Sequence, residues 1–301
     1  MYLPISNITL DEIKADFLVE KEINLSILRL DKIHESVSGN KLFKLHYFVE
    51  KCLQTKHKTL LTFGGAYSNH LVATSFLCKQ MGIRSIGVVR GEQPIILSHS
   101  LKTCVNNSML LYFVDAETYR KATENKFVQT LKDKFGEFTN VPEGGFGNDG
   151  AKGAALIMDL INKKELTYVC TSVGTATTLA GLLLKSEKVH KIIAVPVIKN
   201  MTDIEQRLKE MKVVYEKEKL VIFPDYHFGG YAKHNNNLIA FMNTFYADYN
   251  IPTDFVYTAK MMFGMLDKIN TDYFPKGSNI FCLHTGGLQG NLSFPKGTLI
   301  F

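Results

Sequence analysis

The sequence lacks the features that mark membrane, secreted and metal-binding proteins. No apolar run approaches the roughly 20 residues that span a bilayer, and no CxxC pair indicates a zinc or redox site. The amino-terminal residues have no basic region followed by an apolar one, so we expect no secretory signal. The five cysteines are odd in number and widely spaced, which indicates buried thiols in a reducing compartment. We therefore expect a cytoplasmic protein with no membrane partner and no metal site.

A concentrated basic surface is also missing. The net charge is +6, but the lysines are spread along the chain without a basic block or interleaved aromatic residues. This distribution suits small anionic ligands better than nucleic acid. The 301 residues, 46% hydrophobic and 21% charged, are typical of a globular protein with one large domain or two domains.

Apolar, β-branched runs alternate with helical patterns along the chain, and this alternation predicts an α/β fold with mostly parallel sheets flanked by helices. The predicted strands are 25–30, 57–63, 84–90, 108–114, 167–173, 191–198, 220–225 and 278–284. The predicted helices begin at Lys41 and otherwise cover 68–82, 96–107, 116–135, 154–162, 177–185, 204–211, 236–249 and 259–269.

A glycine-rich stretch at 141–153 interrupts this alternation and predicts a crossing between two domains. The strand at 25–30 has no obvious partner except the later sheet. We therefore predict a large domain formed by 1–44 and 153–301, with a small domain, 45–152, inserted in it.

Two lysines lie one turn apart at the start of the first long helix. Lys41 would be close to the positive end of the helix dipole, which should lower the pKa of its amine and favour a nucleophilic, Schiff-base-forming lysine. Lys44 would lie on the same helix face and could meet a phosphate of the same ligand. The alternative is that both are ordinary solvated lysines.

The segment 171–181 runs from a strand through glycine and small hydroxyl residues directly into a helix. Free backbone N–H groups at a helix start, together with hydroxyl donors, suit a phosphate. The segment has neither the Walker ending GK[ST] nor GxGxxG, so a phosphorylated cofactor or mononucleotide fits better than ATP or NAD. Alone, it could be an ordinary turn between a strand and a helix. The candidate phosphate-binding residues are Gly174, Thr175, Ala176, Thr177 and Thr178.

A second glycine-containing segment, 63–70, places Ser68 and Asn69 at another helix start. Asparagine there can hydrogen-bond a ring hydroxyl, and the open N–H groups can hold a carboxylate. The alternative is that Ser68 is only the N-cap of the helix.

Polar residues near the end of the chain lie beside glycines or at the ends of predicted elements. They are Tyr231 in GGYAK, Tyr257 and Thr258 in VYTAK, and Thr285 in HTGG. Any of them could be structural, and Tyr257 could be a core aromatic residue.

These segments, in this order, resemble a known family. GNKxxK, GGxxSN, PEGG at 142–145, GTxxTxAG, YTxK and HTGG are similar to the pyridoxal-phosphate (PLP) enzymes that include 1-aminocyclopropane-1-carboxylate (ACC) deaminase and D-cysteine desulfhydrase. The resemblance covers most of the chain, from about residue 31 to 290. It implies fold type II, with open twisted sheets, PLP as the cofactor and a homodimer.

The resemblance also implies roles for the candidate residues. Lys41 would form the Schiff base with the cofactor, and Lys44 would bind its phosphate together with the loop 174–178. Asn69 would contact the phenolic oxygen of the cofactor. Substrate would bind at Ser68, Asn69 and His70, the catalytic residues would be Lys41, Ser68, Tyr257 and Tyr231, and Thr258 and Thr285 would contact the cofactor.

Two positions separate the subfamilies. The deaminases resemble YE and HLGG at the two late motifs, whereas this chain has Thr258 and Thr285 there, as the desulfhydrases do. A glutamate beside the pyridine nitrogen holds a proton on it, whereas a threonine hydroxyl cannot. A neutral pyridine suffices for expelling a thiol but helps less in opening a cyclopropane ring. The resemblance thus implies β-elimination from D-cysteine or a similar small amino acid.

The chain also departs from the family pattern. Leu28, Arg29, Leu30 and Asp31 stand where the family has KRxD, Ala176 and Thr177 replace glycines of the phosphate loop, and His70 replaces the glutamine of the deaminases. The alternatives are therefore ACC deaminase, a catalytically idle PLP-binding protein and a nucleotide-binding α/β domain.

Overall fold

The computed structural model describes residues 5–34, 39–162, 166–187 and 190–301. Strands and α-helices alternate through these ranges. The strands are β1 (Leu10–Ile13), β2 (Asn24–Arg29), β3 (Thr59–Gly64), β4 (Arg84–Arg90), β5 (Leu110–Val114), β6 (Thr139–Val141), β7 (Tyr168–Val173), β8 (Lys191–Pro196), β9 (Leu220–Ile222) and β10 (Asn279–His284). The helices are α1 (Asp16–Glu20), α2 (Lys41–Gln54), α3 (Asn69–Gln80), α4 (His99–Asn106), α5 (Ala116–Arg120), α6 (Asn125–Phe135), α7 (Asn148–Ala155), α8 (Thr177–Lys185), α9 (Ile204–Glu210), α10 (Asn236–Tyr249) and α11 (Thr258–Asn270).

The strands form two sheets. One has the order β1-β2-β10-β7-β8-β9 and is parallel except for β1, which pairs antiparallel with β2. The other has the order β5-β4-β3-β6 and is parallel throughout. The predicted α/β class with two mostly parallel sheets is confirmed.

Contacts divide the chain into two compact units. The smaller runs from Lys41 to Gly153, and the larger includes the segment that ends at Asn40 and everything from Ala154 onward. The early segment belongs to the larger unit because β2 pairs in parallel with β10, with Ile27 opposite Cys282. The sequence predicted a partner in the later sheet for the strand at 25–30, and β10 is that partner. The boundary falls before Lys41 rather than after residue 44, so both candidate lysines are in the smaller unit.

Each unit has its own apolar core. Residues of β2, β7 and β10 pack together in the larger unit, where Ile27, Cys170 and Cys282 are wholly or almost wholly buried. In the smaller unit Leu61 of β3 and Ile86 of β4 are central. Strands β3 and β7 are buried along their whole length, as expected of parallel strands covered by helices on both faces.

Two helix predictions were wrong in their bounds. The segment 116–135 forms two helices, α5 and α6, rather than one, and backbone turns at Lys121, Ala122 and Glu124 separate them. The predicted helix at 154–162 begins earlier, at Asn148, and continues after Ala155 only as a 3-10 turn. The short strands β1 and β6 and the short helix α1 were not predicted.

A tertiary contact explains why glycine occupies position 153 within α7. A Cβ atom at Gly153 would lie 2.1 Å from the backbone oxygen of Phe43 in α2. Glycine is therefore required by the close approach of α7 to α2, and it does not mark a loop here.

Other expectations concern the cysteines, membrane segments and metals. All five cysteines are buried free thiols, as predicted. Among the described helices, none combines the length and the apolar character needed to cross a bilayer. In the same part of the chain, no three His, Cys, Asp or Glu side chains are grouped so that they could bind a metal ion.

Candidate functional site

The carboxyl ends of β2, β10 and β7 meet at one edge of the larger sheet, where ligands bind in open α/β folds. Gly39 follows β2 in the chain and has φ +89°, and a Cβ atom there would lie 2.0 Å from the backbone oxygen of Thr285. The Asn40 amide donates to the same oxygen at 3.4 Å. The GN pair of the first motif is therefore packed against the HTGG segment after β10.

The turn after β7 has the features of a phosphate site. It leads directly into α8, which begins at Thr177 and leaves the N–H groups of its first turn without helical partners. Thr175 and Thr177 join their hydroxyl groups at 2.9 Å. Ala176 has φ +65° in the left-handed region, which glycine adopts more easily.

Asn40 contacts this turn through its side chain. Its Nδ2 donates to the Thr178 hydroxyl oxygen at 2.7 Å, which leaves the proton of that hydroxyl for another acceptor. The Oδ1 atom of Asn40 is buried without a partner. Lys41 follows directly, so its Cα is about 3.8 Å from that of Asn40. The first residue of α2 is therefore covalently attached to a residue that is anchored to the turn.

Two predicted tyrosines lie together in the larger unit. Their hydroxyl oxygens are 3.4 Å apart, and the rings of Tyr231 and Tyr257 make an edge-to-face contact with centroids at 6.0 Å. A Cβ atom at Gly174 would be 3.3 Å from the Tyr257 ring, so this ring lies against the start of the phosphate-type turn. The structure thus brings Tyr231, Tyr257 and Gly174 together.

Thr258 is fully buried, and its hydroxyl group is already engaged. It donates to Asp254 Oδ1 at 2.7 Å and accepts from the Asp254 amide at 2.8 Å. The Asp254 carboxylate also accepts from the backbone N–H groups of Val256, Tyr257 and Thr258. These bonds hold the start of α11, and they leave Thr258 without a proton for a ligand.

Thr285 differs from Thr258 in this respect. It is buried, and the structure contains no hydrogen bond from its hydroxyl to any described group. The adjacent His284 is held by the Pro252 carbonyl at 2.6 Å and lies 3.3 Å from the carboxylate of Asp31. Arg29 makes a bidentate ion pair with Asp31. Asp31, held in this way, contacts His284 at the end of β10.

The smaller unit contains the two lysines. Helix α2 begins at Lys41, as predicted, and places Lys44 one turn later on the same face. Both side chains are buried. Burial, and then the charge of Lys41, hold the pKa of Lys44 well below its usual value. No described group forms a hydrogen bond or ion pair with the Lys44 ammonium. An anionic ligand would offset the cost of burying this charge.

The PEGG loop closes over Lys44. Gly145 has φ +70°, and a Cβ atom there would lie 3.1 Å from Cβ of Lys44 and 3.8 Å from Cε1 of His70. The left-handed backbone and the close contact both favour glycine at this position.

Ser68 and Asn69 lie at the start of α3, as predicted. The Ser68 hydroxyl accepts from the Leu71 amide at 3.2 Å, so Ser68 is the N-cap of the helix. Its proton remains available to a ligand acceptor. The Oδ1 atom of Asn69 is buried and has no partner among the described residues. These groups are polar and positioned for a ligand, and their predicted roles stay predictions.

The protonation state of His70 follows from its neighbours. The Thr62 hydroxyl donates its single proton to the Val141 carbonyl at 2.8 Å, so it must accept from His70 Nε2 at 2.8 Å. Nδ1 therefore carries an unshared lone pair, and it is buried without a partner. Burial, then the charges of Lys44 and Lys41, lower the pKa of His70 to about 3. His70 is neutral at physiological pH and offers an acceptor to a ligand rather than an N–H donor.

Each unit by itself contains groups that suit a phosphorylated aldehyde cofactor. In the smaller unit, Lys44 supplies a buried amine without an anionic partner among the described residues, and Asn69 supplies a buried Oδ1 atom without a partner. In the larger unit, α8 begins with free N–H groups. Three supporting residues were not predicted: Asn40, Asp254 and Lys260. Asn40 and Lys260 lie within the GNKxxK and YTxK motifs, and Asp254 precedes Thr258 by one helical turn, so the sequence contained a signal for each.

The chain is similar to known proteins over most of its length. No protein-family model matches the sequence. The ACC deaminase of Bradyrhizobium sp. (strain ORS 278) is 24% identical over 285 residues, which cover 84% of this chain and 82% of that protein. The D-cysteine desulfhydrase of Klebsiella pneumoniae is 26% identical over 283 residues, which cover 87% and 86%. The similarity that the motifs predicted therefore extends over most of the chain.

Solved structures have the same fold. An ACC deaminase homologue superposes with a TM-score of 0.82 at 21% identity and covers 97% of this chain and 92% of its own. A pyridoxal 5'-phosphate-dependent aspartate racemase gives a TM-score of 0.70 at 12% identity, with 94% and 92% covered. The chain has the fold of the fold type II PLP-dependent enzymes, which confirms the predicted fold type.

Proposed function

We propose that the chain catalyses α,β-elimination on a small amino acid. Its relatives include an ACC deaminase and a D-cysteine desulfhydrase, and its fold is that of PLP-dependent enzymes. The products would be a 2-oxo acid and ammonia, with sulfide when the substrate is D-cysteine. One observation carries the choice of elimination: Thr258 stands where the deaminases have glutamate, and it gives its only hydroxyl proton to Asp254.

The proposal requires PLP, which when bound supplies an electron sink for negative charge at the substrate α-carbon. Lys41 is the lysine that would hold the cofactor covalently. Its phosphate would be bound by Lys44, by the N–H groups at the start of α8 and by the free proton of the Thr178 hydroxyl. Asn69 would contact the ring oxygen through its side-chain amide.

The groups near the predicted ring nitrogen site argue for a good leaving group. Thr258 has no proton to offer, and the Asp254 carboxylate is saturated by four hydrogen bonds. Thr285 keeps a neutral hydroxyl without a described partner, which can donate to a pyridine nitrogen but cannot protonate it. Expulsion of a thiol needs less electron withdrawal than opening of a cyclopropane ring. D-Cysteine or a similar β-substituted amino acid is therefore the first candidate.

Ser68, Lys41 and Tyr257 would have different roles in binding the substrate and in proton transfer. Ser68 uses a lone pair to cap α3 and keeps its proton, which suits binding of the substrate carboxylate better than acting as a base. The Lys41 amine would be the candidate base for the α-proton. Tyr257, with Tyr231 beside it, would assist proton transfer or control access.

Ring-opening deamination of ACC is the second candidate. A relative and a structural neighbour whose names include ACC deaminase each align with most of this chain. That reaction gives 2-oxobutanoate and ammonia, whereas elimination from cysteine gives pyruvate, ammonia and sulfide. Product identity separates the two reactions.

The test is a turnover assay of the PLP-loaded protein with D- and L-cysteine, D- and L-serine and ACC. Lactate dehydrogenase reports 2-oxo acid formation, and sulfide is measured separately. We expect pyruvate and sulfide from a cysteine enantiomer. If ACC is the one substrate that reacts and gives 2-oxobutanoate, the second candidate is supported. If no substrate reacts, the chain is a catalytically idle PLP-binding protein. Lys41→Ala is the control for background reaction.

A further inference from the structure

Lys260 is a buried cation that the proposed reaction does not use. Its side chain is 0% exposed, and its Nζ donates to the carbonyl oxygens of Gly230 at 2.7 Å and His227 at 2.9 Å. Burial lowers the pKa of Lys260 to about 8, and the charge of Asp254 opposes this shift. A buried ammonium is costly unless its hydrogen bonds are satisfied, so its placement against two backbone carbonyls calls for an explanation.

Both acceptors belong to a loop with an unusual backbone. Phe228 has φ +50°, Gly229 +90°, Gly230 +120° and Ala232 +55°. A non-glycine residue in the left-handed region costs roughly 1 kcal/mol of conformational free energy. The loop therefore needs other contacts to hold this backbone conformation. The Lys260 ammonium binds the carbonyl oxygens of His227 and Gly230, and Gly230 directly precedes Tyr231.

We infer that Lys260 is a positioning residue that holds Tyr231 beside Tyr257. Tyr257 and Lys260 share the first turn of α11, where the Met261 amide donates to the Tyr257 carbonyl at 3.1 Å. Lys260 therefore connects the turn that carries one tyrosine to the loop that carries the other. The two hydroxyl oxygens lie 3.4 Å apart as a result. This inference rests on the proposed function, in which both tyrosines contact the reacting substrate.

The loop also has a second attachment to α11. A Cβ atom at Gly264 would be 2.7 Å from the Tyr226 ring, so the beginning of the loop packs closely one turn after Lys260. Removing the Lys260 ammonium should therefore release the end of the loop that carries Tyr231 while Tyr226 stays in place. A purely structural lysine would instead affect the whole loop and the stability of the chain.

The experiment compares Lys260→Met with Lys260→Gln and Lys209→Met. Methionine removes both donors at similar length, glutamine keeps two N–H groups, and Lys209 is an exposed lysine of α9. The PLP-loaded proteins are labelled with 3-fluorotyrosine, and the signals of the three tyrosines are assigned with Tyr226→Phe, Tyr231→Phe and Tyr257→Phe. We expect Lys260→Met to shift the fluorine signals of Tyr231 and Tyr257 and to leave that of Tyr226 unchanged, with partial recovery in Lys260→Gln and no change in Lys209→Met.

Kinetics give the second readout. We expect about a tenfold loss of kcat/KM in Lys260→Met, as for loss of roughly 1.4 kcal/mol of transition-state stabilisation, and no further loss when it is combined with Tyr231→Phe. Unchanged fluorine signals, or losses that add in the double variant, would overturn the inference. So would failure of both Lys260 variants to fold, because the lysine would then be structural. If the wild-type protein turns over no substrate, the proposed function fails, and the fluorine spectra still decide the role of Lys260.

Discussion

Replacing Ala176, the N-cap of α8, with glycine should stabilise the protein. Ala176 precedes α8 and has φ +65° and ψ +1°. The left-handed conformation costs an L-residue roughly 1–2 kcal/mol. Glycine removes this cost but returns about 0.4–1 kcal/mol through the greater freedom of the unfolded chain. We therefore expect a net gain of about 0.5–1 kcal/mol.

The assay is thermal unfolding followed by circular dichroism, with and without PLP. A gain of this size should raise Tm by roughly 1–4 °C in a protein of this length. Ala180→Gly is the matched control, because Ala180 is fully buried in the same helix and has the same side chain to lose. That control should lose at least 1 kcal/mol through helix propensity and the missing methyl group. If Ala176→Gly lowers Tm as Ala180→Gly does, the left-handed turn and the argument from it are wrong.

Two further substitutions test the site. His70→Gln should flatten the loss of stability in acid: the pKa of His70 is lowered to about 3, so the unfolded chain binds a proton near pH 6.5 that the folded chain does not. The free energy of unfolding of the wild type should therefore fall as pH drops through 6.5 toward 3, by about 2 kcal/mol between pH 7 and 5 from this group. Denaturant unfolding should show that this fall is smaller by the same amount in His70→Gln. An equal dependence of stability on pH in both proteins would contradict the assignment. Gly39→Ala should lower the free energy of unfolding by more than about 3 kcal/mol or prevent folding, because its Cβ would lie 2.0 Å from the Thr285 oxygen. Gly277 is the control, since it has φ +80° and a Cβ there would have no atom within 4 Å. Gly277→Ala should lower the free energy of unfolding in urea by only about 1 kcal/mol. Equal costs would contradict the close contact at Gly39.

The sequence was most informative where a pattern is local. The start of α2 at Lys41, the helix 177–185 and the strand at 84–90 were predicted with correct bounds because apolar periodicity and helix-start signals lie within the segments themselves. The motif order also predicted the fold type. The place of β2 in the later sheet was also predicted, since an isolated early strand needs a partner, whereas its pairing with β10 was not.

The rest depends on contacts between distant segments. Nothing in the segment around His70 indicates its tautomer, which Thr62 and the Val141 carbonyl determine across two strands. Asp254 lies one helical turn before Thr258 and Lys260 lies within the YTxK motif, but neither position indicates what its side chain contacts. Their roles appear only when the carboxylate is seen at the start of α11 and the ammonium at the carbonyls of a distant loop.

Two helix bounds were wrong, one through a distant contact and one through local backbone turns. The helix from Asn148 contains Gly153, which the sequence analysis took as part of a breaking segment. The backbone of Phe43 occupies the space that a side chain would need, so the glycine serves packing. The segment 116–135 has a helical pattern on both sides of Glu124 but divides there, because local backbone turns end α5 before α6 begins.

The central claim is that Lys41 carries the cofactor. The most direct measurement is reduction of the PLP-loaded protein with borohydride, followed by proteolysis and mass spectrometry of the labelled peptides, with Lys41→Ala and Lys44→Ala treated in parallel. We predict the pyridoxyl label on Lys41 in the wild type and in Lys44→Ala, and loss of both the label and the visible absorbance in Lys41→Ala. A label on another lysine of the wild type, or full absorbance in Lys41→Ala, would contradict the account.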